Sequence, residues 1–300
     1  MRLGRSAAAA AVALVALVAA GVVFAAGHAG VHDQAVAVPS CVPPGPGTHR
    51  IVVAQDRVPV AVHVSPGPRK TGRPLIVVLP GAGQSGADIA QYTGYSKLAD
   101  QRGFLVAYPT AAGSRPFWNV SGAVAGRPDD VAYLREVIAT LTADTCADPA
   151  RVGMTGVSNG GGMTARMACD ASDLLAAAAP VAGGYSSLSD CRPERPLSIL
   201  EIHGVRDAVV PYAGKGPDHA GAVGDWLSDW LARDGCTAPA RRSTPAPRVD
   251  ELRWTCPGGR MIVHDRVIDG QHGWPGGSSL RPFSSTLRTW RFLSAFRRGR

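Results

Sequence analysis

Short apolar runs alternate along this chain with stretches of helical period. Residues 75–79, Leu-Ile-Val-Val-Leu, contain no polar position, the pattern of a strand buried on both faces. Residues 104–108 repeat it and are halted by Pro109. Residues 152–155, 176–181 and 198–202 read as further buried strands. Between them lie predicted helices over 87–100, 129–142, 163–168, 225–233 and 284–296. The second of these sets Val131, Leu134, Val137, Ile138 and Leu141 on one face. Residues 50–53 and 58–64 read as a hairpin at a sheet edge, and 249–254 and 261–268 as strands around a Pro-Gly-Gly turn. Strands alternating with helices imply an α/β fold with a mostly parallel central sheet and helices on both faces.

The middle of the chain carries chemistry. Gly156-Val157-Ser158-Asn159-Gly160 follows a strand pattern and enters a helix pattern, the setting of a nucleophile elbow in an α/β-hydrolase. A sharp turn there lifts the Ser158 hydroxyl clear of the sheet, and the helix N-terminus behind it offers unpaired N–H groups. In this fold the acid and then the base follow the serine in chain order. Asp207 leaves the end of the 198–202 strand and is the expected acid; Asp190, Glu194 and Asp218 occupy less suitable places. His272, in a Gly-rich loop after the last strand, is the expected base. His219 lies close to the acid and reads as opening a helix, His264 sits inside a strand pattern, and His203, which precedes the acid, reads as bracing its loop. The N–H groups of Asn159 and of Ala82, in the Gly-rich turn after Leu79, are the expected oxyanion donors.

The ends of the chain add a compartment. A basic start and an apolar stretch without a polar side chain over 7–26 give 1–26 the form of a signal peptide, with cleavage after Ala25 or near Ala37, or else of an uncleaved N-terminal anchor. Residues 27–47 are a Pro/Gly-rich extended segment, and 48–300 are expected to form one catalytic domain. Export places the six cysteines in an oxidising compartment. Cys169–Cys191 and Cys236–Cys256, each closing a modest loop, are the expected pairs, leaving Cys41–Cys146 to tie down the N-terminal segment. No Cys/His spacing suits zinc, so neither a metal nor a cofactor is expected. The net charge of +8 is spread over arginines without aromatic interleaving, which argues against a nucleic-acid partner.

These segments together resemble the polyhydroxybutyrate depolymerase and feruloyl or acetylxylan esterase family, carbohydrate esterase family one. The resemblance runs from about residue 48 onward. It is carried by Leu79-Pro-Gly-Ala-Gly-Gln84, Gly103-Phe-Leu-Val-Ala-Tyr-Pro109, Trp118-Asn119, Asp129-Asp-Val-Ala-Tyr-Leu134, the elbow, His203-Gly204 with Asp207 and Val210-Pro-Tyr212, and His272-Gly-Trp-Pro-Gly276. It implies a secreted serine esterase with Ser158, Asp207 and His272 as triad, Ala82 and Asn159 as oxyanion donors, and Trp274 and Trp118 toward the substrate pocket. Many members have His-Gly where this chain has Pro80-Gly81. The implied substrates are feruloyl, acetyl or short hydroxyacyl esters, borne on a plant polysaccharide or a polyester oligomer. The competing readings are an acyltransferase on a cell-envelope sugar using the same triad, a short-chain polyhydroxyalkanoate depolymerase, and a binding protein on a hydrolase scaffold. A membrane enters only through an uncleaved N-terminal segment.

Overall fold

The computed structural model describes residues 41–67, 70–121, 126–185, 191–214, 221–277 and 283–299. The expected export segment 1–26, most of the extended segment, and the positions of Asp190, Asp218 and His219 lie outside the described residues. Cys41–Arg300 form a compact unit. In it, ten strands make one sheet: β1 (Gly47–Ile51), β2 (Val60–Val64), β3 (Arg73–Leu79), β4 (Leu105–Tyr108), β5 (Ala147–Val157), β6 (Ala177–Val181), β7 (Ser198–Gly204), β8 (Arg241–Ala246), β9 (Val249–Thr255) and β10 (Met261–Val267). Their spatial order is β1-β2-β4-β3-β5-β6-β7-β10-β9-β8. The six strands from β4 to β10 run parallel, and antiparallel pairs close both edges.

Both faces of this sheet are covered, as the apolar runs require. On β3, Leu75, Val77 and Leu79 enter one core, while Ile76 and Val78 enter the other. The first core is roofed by α3 (Asp130–Asp144), α4 (Asn159–Asp170) and α5 (Val223–Arg233) through Leu134, Met163 and Trp230. The second is covered by α1 (Gly86–Thr93), α2 (Tyr95–Arg102) and α6 (Ser285–Leu293) through Ile89, Leu98 and Phe292. Side chains of period two thus feed two layers, and the architecture is an α/β-hydrolase sheet wrapped on both sides.

Three local readings change. The helix expected over 87–100 is two helices, because Gly94 adopts φ 67°, terminates α1 and lets α2 set off from it. The helix after the elbow begins at Asn159 rather than 163, its first turn being built from glycines. Strand β8 had no expected counterpart: Arg-Arg-Ser-Thr-Pro-Ala is exposed almost throughout, so it lacks an apolar alternation. It is an edge strand, and its charges and proline suit an edge that must not pair further. Among the described residues no helix is long and apolar enough to cross a membrane.

Candidate active site

Ser158 ends β5 and caps α4 at φ 58° and ψ −123°, a conformation that L-residues adopt only under constraint. Its N–H donates to the Val181 carbonyl at 3.0 Å, and its own carbonyl accepts from Gly162 at 2.9 Å. The turn closes because Gly160 has no side chain: a β-carbon there would stand 2.4 Å from the carbonyl oxygens of Leu79 and Pro80. The elbow is therefore pressed directly onto the loop that follows β3.

Asp207 and His272 arrive from the ends of β7 and β10, which are sheet neighbours. Their loops are stitched together. Val205 donates to the Val267 carbonyl and Arg206 to the Gly270 carbonyl, each at 2.9 Å, and a β-carbon on Gly204 would meet the Gly270 oxygen at 2.4 Å. Asp269 adds a bidentate pair with Arg248 at 2.5 and 2.6 Å. His272 is thereby aimed so that Nε2 lies 2.9 Å from Ser158 Oγ and Nδ1 lies 2.8 Å from Asp207 Oδ2. Asp207 is 5% exposed, and its other oxygen accepts the N–H groups of Val209 at 2.9 Å and Val210 at 2.7 Å. Burial opposes ionisation of this carboxyl, but hydrogen bonds from His203 and His272 outweigh it and hold Asp207 well below the usual carboxylate range.

The loop after β3 has one free donor. Gly81 N–H goes to Gln84 Oε1 at 3.0 Å, Gly83 N–H to the Pro116 carbonyl at 2.7 Å, and Gln84 N–H to the Gly81 carbonyl at 3.2 Å. Among the described residues no acceptor faces the Ala82 N–H. Asn159 N–H belongs to the first turn of α4, where no intrahelical acceptor exists.

The two tryptophans are buried, and each indole N–H is held by a protein acceptor. Trp118 is 0% exposed. Its indole N–H donates to the Pro80 carbonyl at 3.0 Å, and its backbone exchanges two hydrogen bonds with the Asn159 side chain at 2.7 and 3.1 Å. It braces the elbow and the β3 loop from behind. Trp274 is 3% exposed, donates its indole N–H to Thr286 Oγ1 at 2.9 Å and packs against Tyr95. It supports the loop bearing His272, and with His272 it lines a cavity of about 410 Å³. Aromatic residues beside catalytic motifs read equally well as walls or as braces; complete burial makes Trp118 a brace, whereas Trp274 braces its loop and also lines that cavity.

Beneath the acid lies a cluster that single-residue reading did not assemble. Glu201 and His203 on β7 are fully buried, with His264 on β10 beside them. His203 Nδ1 is 3.0 Å from Glu201 Oε1 and its Nε2 is 3.3 Å from Asp207 Oδ2; His264 Nδ1 is 2.6 Å from Glu201 Oε2. Tyr185 donates to Glu201 at 2.8 Å, and the Tyr212 hydroxyl meets His264 Nε2 at 2.7 Å. The signal was available: two ionisable residues in an otherwise apolar strand, Ser-Ile-Leu-Glu-Ile-His-Gly, require partners. Among the described residues no group of three or more His, Cys, Asp or Glu side chains is arranged to hold a metal. The three disulfides are Cys41–Cys146, Cys169–Cys191 and Cys236–Cys256.

The family described as "Esterase PHB depolymerase" matches residues 58–189, which include the elbow and the β3 loop. The protein named "Putative esterase NocK" of Nocardia uniformis subsp. tsuyamanensis is 31% identical over 255 residues, covering 76% of this chain and 74% of that one. The chain belongs to this esterase family. Feruloyl esterase B of Piromyces equi, another relative, is 33% identical over 183 residues, which span 56% of this chain but only 34% of that protein. Among solved structures, acetyl xylan esterase from Aspergillus awamori superposes with a TM-score of 0.62 at 16% identity, over 82% of this chain and 98% of that one, a likeness of fold. The esterase described here is accordingly a carboxylic-ester hydrolase on an α/β-hydrolase sheet.

Proposed function

We propose that this esterase works as an exported serine enzyme, with Ser158 as nucleophile, His272 as general base and then acid, Asp207 as the charge that orients it, and Ala82 and Asn159 as the oxyanion cradle. The observation that carries this reading is the continuous line of hydrogen bonds from Ser158 Oγ through His272 to Asp207, at 2.9 and 2.8 Å, from three distant parts of the chain.

In the reaction, Ser158 Oγ attacks the ester carbonyl carbon while its proton passes to His272 Nε2. The carbonyl oxygen becomes an oxyanion facing the two backbone N–H groups. Collapse expels the alcohol, which takes the proton from His272, and leaves an acyl group on Ser158. Water then repeats the sequence: His272 accepts its proton, the oxyanion forms again, and the carboxylic acid departs as the proton returns to Ser158. Asp207 stays ionised throughout and stabilises the imidazolium.

Acetyl, feruloyl and short hydroxyacyl esters are the proposed substrates, supported by the names of the relatives, which include feruloyl esterases and a poly(3-hydroxyalkanoate) depolymerase. Export is supported by the apolar N-terminal pattern and by three disulfides. Hydrolysis of p-nitrophenyl acetate and methyl ferulate by the wild type and by Ser158→Ala tests the reading. Turnover should fall by on the order of 10⁶ in the variant; equal rates would remove Ser158 from the mechanism.

A further inference from the structure

His203 is not part of the triad, yet it touches it. Its Nε2 lies 2.9 Å from the carbonyl oxygen of Val210 and 3.3 Å from Asp207 Oδ2. Its Nδ1 lies 3.0 Å from Glu201 Oε1. A carbonyl oxygen only accepts, so Nε2 carries a proton. The Glu201 oxygen at Nδ1 already accepts from Tyr185, and the second Glu201 oxygen faces His264. A bare Nδ1 would set lone pair against carboxylate in a site with no water access, since both side chains are 0% exposed. Nδ1 therefore carries a proton as well.

We propose that His203 is a positioning residue for the triad acid: a doubly protonated imidazole held between Glu201 and Asp207, which aims the Asp207 carboxylate and draws off part of its charge from His272. This rests on the triad reading above. A conventional triad acid faces one imidazole; here Asp207 Oδ2 lies between two. The second imidazole is a fixed cation beside the carboxylate oxygen that also faces His272. Glu201 is the counter-charge that makes the cation tolerable in the core.

The surroundings agree. Among the described residues, the groups facing His203 are Glu201 beside it on β7, Asp207 and the Val210 carbonyl from the acid loop, the Tyr185 ring at 6.4 Å from the β6 side, and the Tyr212 ring at 5.9 Å. His264 reaches Glu201 from β10, and Arg266 stands over the far side of Tyr212. Burial works against a charged His203, but the hydrogen bonds from Asp207 and Glu201 outweigh it and raise the group to about 10. Burial likewise opposes a charged Glu201, yet His264 and His203 bring it to about 2. Both sides of the pair are ionised across the neutral range.

Two measurements test this on the full-length protein. Nitrogen-15 histidine spectra at pH 8, with His203 assigned through its own backbone, should show both ring nitrogens bearing protons; one bare nitrogen overturns the proposal. In Glu201→Gln, which keeps the acceptor oxygen and removes the charge, that doubly protonated signature should titrate away at lower pH than in the wild type; an unchanged titration also overturns it. The second measurement is steady-state kinetics of p-nitrophenyl acetate hydrolysis in His203→Gln. With Asp207 no longer aimed, kcat should fall by about tenfold or more with KM little changed. An unmoved kcat overturns the positioning role. If Ser158→Ala stays active while His203 is doubly protonated, the triad reading fails alone; if Ser158→Ala is inactive and His203 has a bare nitrogen, only the present proposal fails.

Discussion

Trp118→Phe separates a brace from a pocket wall. The indole N–H is the only part of Trp118 that bonds the β3 loop through a side chain, at 3.0 Å from the Pro80 carbonyl, while the Asn159 contacts use the Trp118 backbone. Phenylalanine keeps those backbone contacts and most of the ring. It leaves the Pro80 carbonyl without its donor in a fully buried site, at about 1–3 kcal/mol, and removes ring volume from a residue that is 0% exposed, adding about 1 kcal/mol more. The thermal midpoint should fall by several degrees, at roughly 2–4 °C per kcal/mol. The catalytic effect follows from what Pro80 precedes: two residues on is Ala82, whose N–H is the proposed oxyanion donor. Complete loss of such a donor costs roughly 10²–10³ in kcat. A loosened loop with the Gly83–Pro116 bond intact should lose less, about tenfold to a hundredfold. KM for acetyl and feruloyl esters should stay within about twofold, because Trp118 presents no surface to a substrate. Steady-state kinetics on both esters at a temperature below the melting range makes the comparison. A raised KM with unchanged kcat, differing between the two acyl groups, would return Trp118 to the pocket wall and refute the bracing argument.

Gly160→Ala should abolish activity and soluble yield together, since its new β-carbon meets two backbone carbonyls at 2.4 Å and neither is a flexible side-chain end; expression and circular dichroism read this out. Asp234 is 3% exposed, and burial, partly offset by Arg260, pushes its carboxyl up to about 6 from 3.8. A raised folded value means stability that is present in full below about pH 4 and is lost as pH rises through about 6. Asp234→Asn should therefore match the wild type in urea unfolding at pH 4 and exceed it by about 3 kcal/mol at pH 8. Replacing both Cys41 and Cys146 by Ser opens a closure of 105 residues and should lower stability by about 4 kcal/mol, seen as an earlier urea midpoint with activity retained below it.

The parallel core was legible because strands buried on both faces need unbroken apolar runs, and β3, β4 and β7 supply them. What was not legible obeys other constraints. Strand β8 answers to pairing with β9 and to solvent, so its arginines carry no alternation. Gly94 divides a helical pattern by one backbone torsion, which periodicity does not register. At the site, Ser158, Asp207 and His272 could be placed by chain order and loop position. The roles of Trp118 and Trp274 could not, because an aromatic side chain has the same letter whether it faces a ligand or a carbonyl. The cluster of Glu201, His203 and His264 was only partly legible: Glu201 and His203 share β7, but His264 joins them through the β7–β10 pairing, which sets it opposite Glu201.

Labelling with a fluorophosphonate followed by peptide mapping tests the mechanism most directly. The reagent adds to a serine only when a base has activated it, and the hydrogen bond of 2.9 Å from Ser158 Oγ to His272 makes Ser158 the proposed target. A single adduct on the peptide containing Ser158, lost in His272→Ala, is the predicted result. An unlabelled protein, or an adduct on another serine that survives in Ser158→Ala, would contradict it.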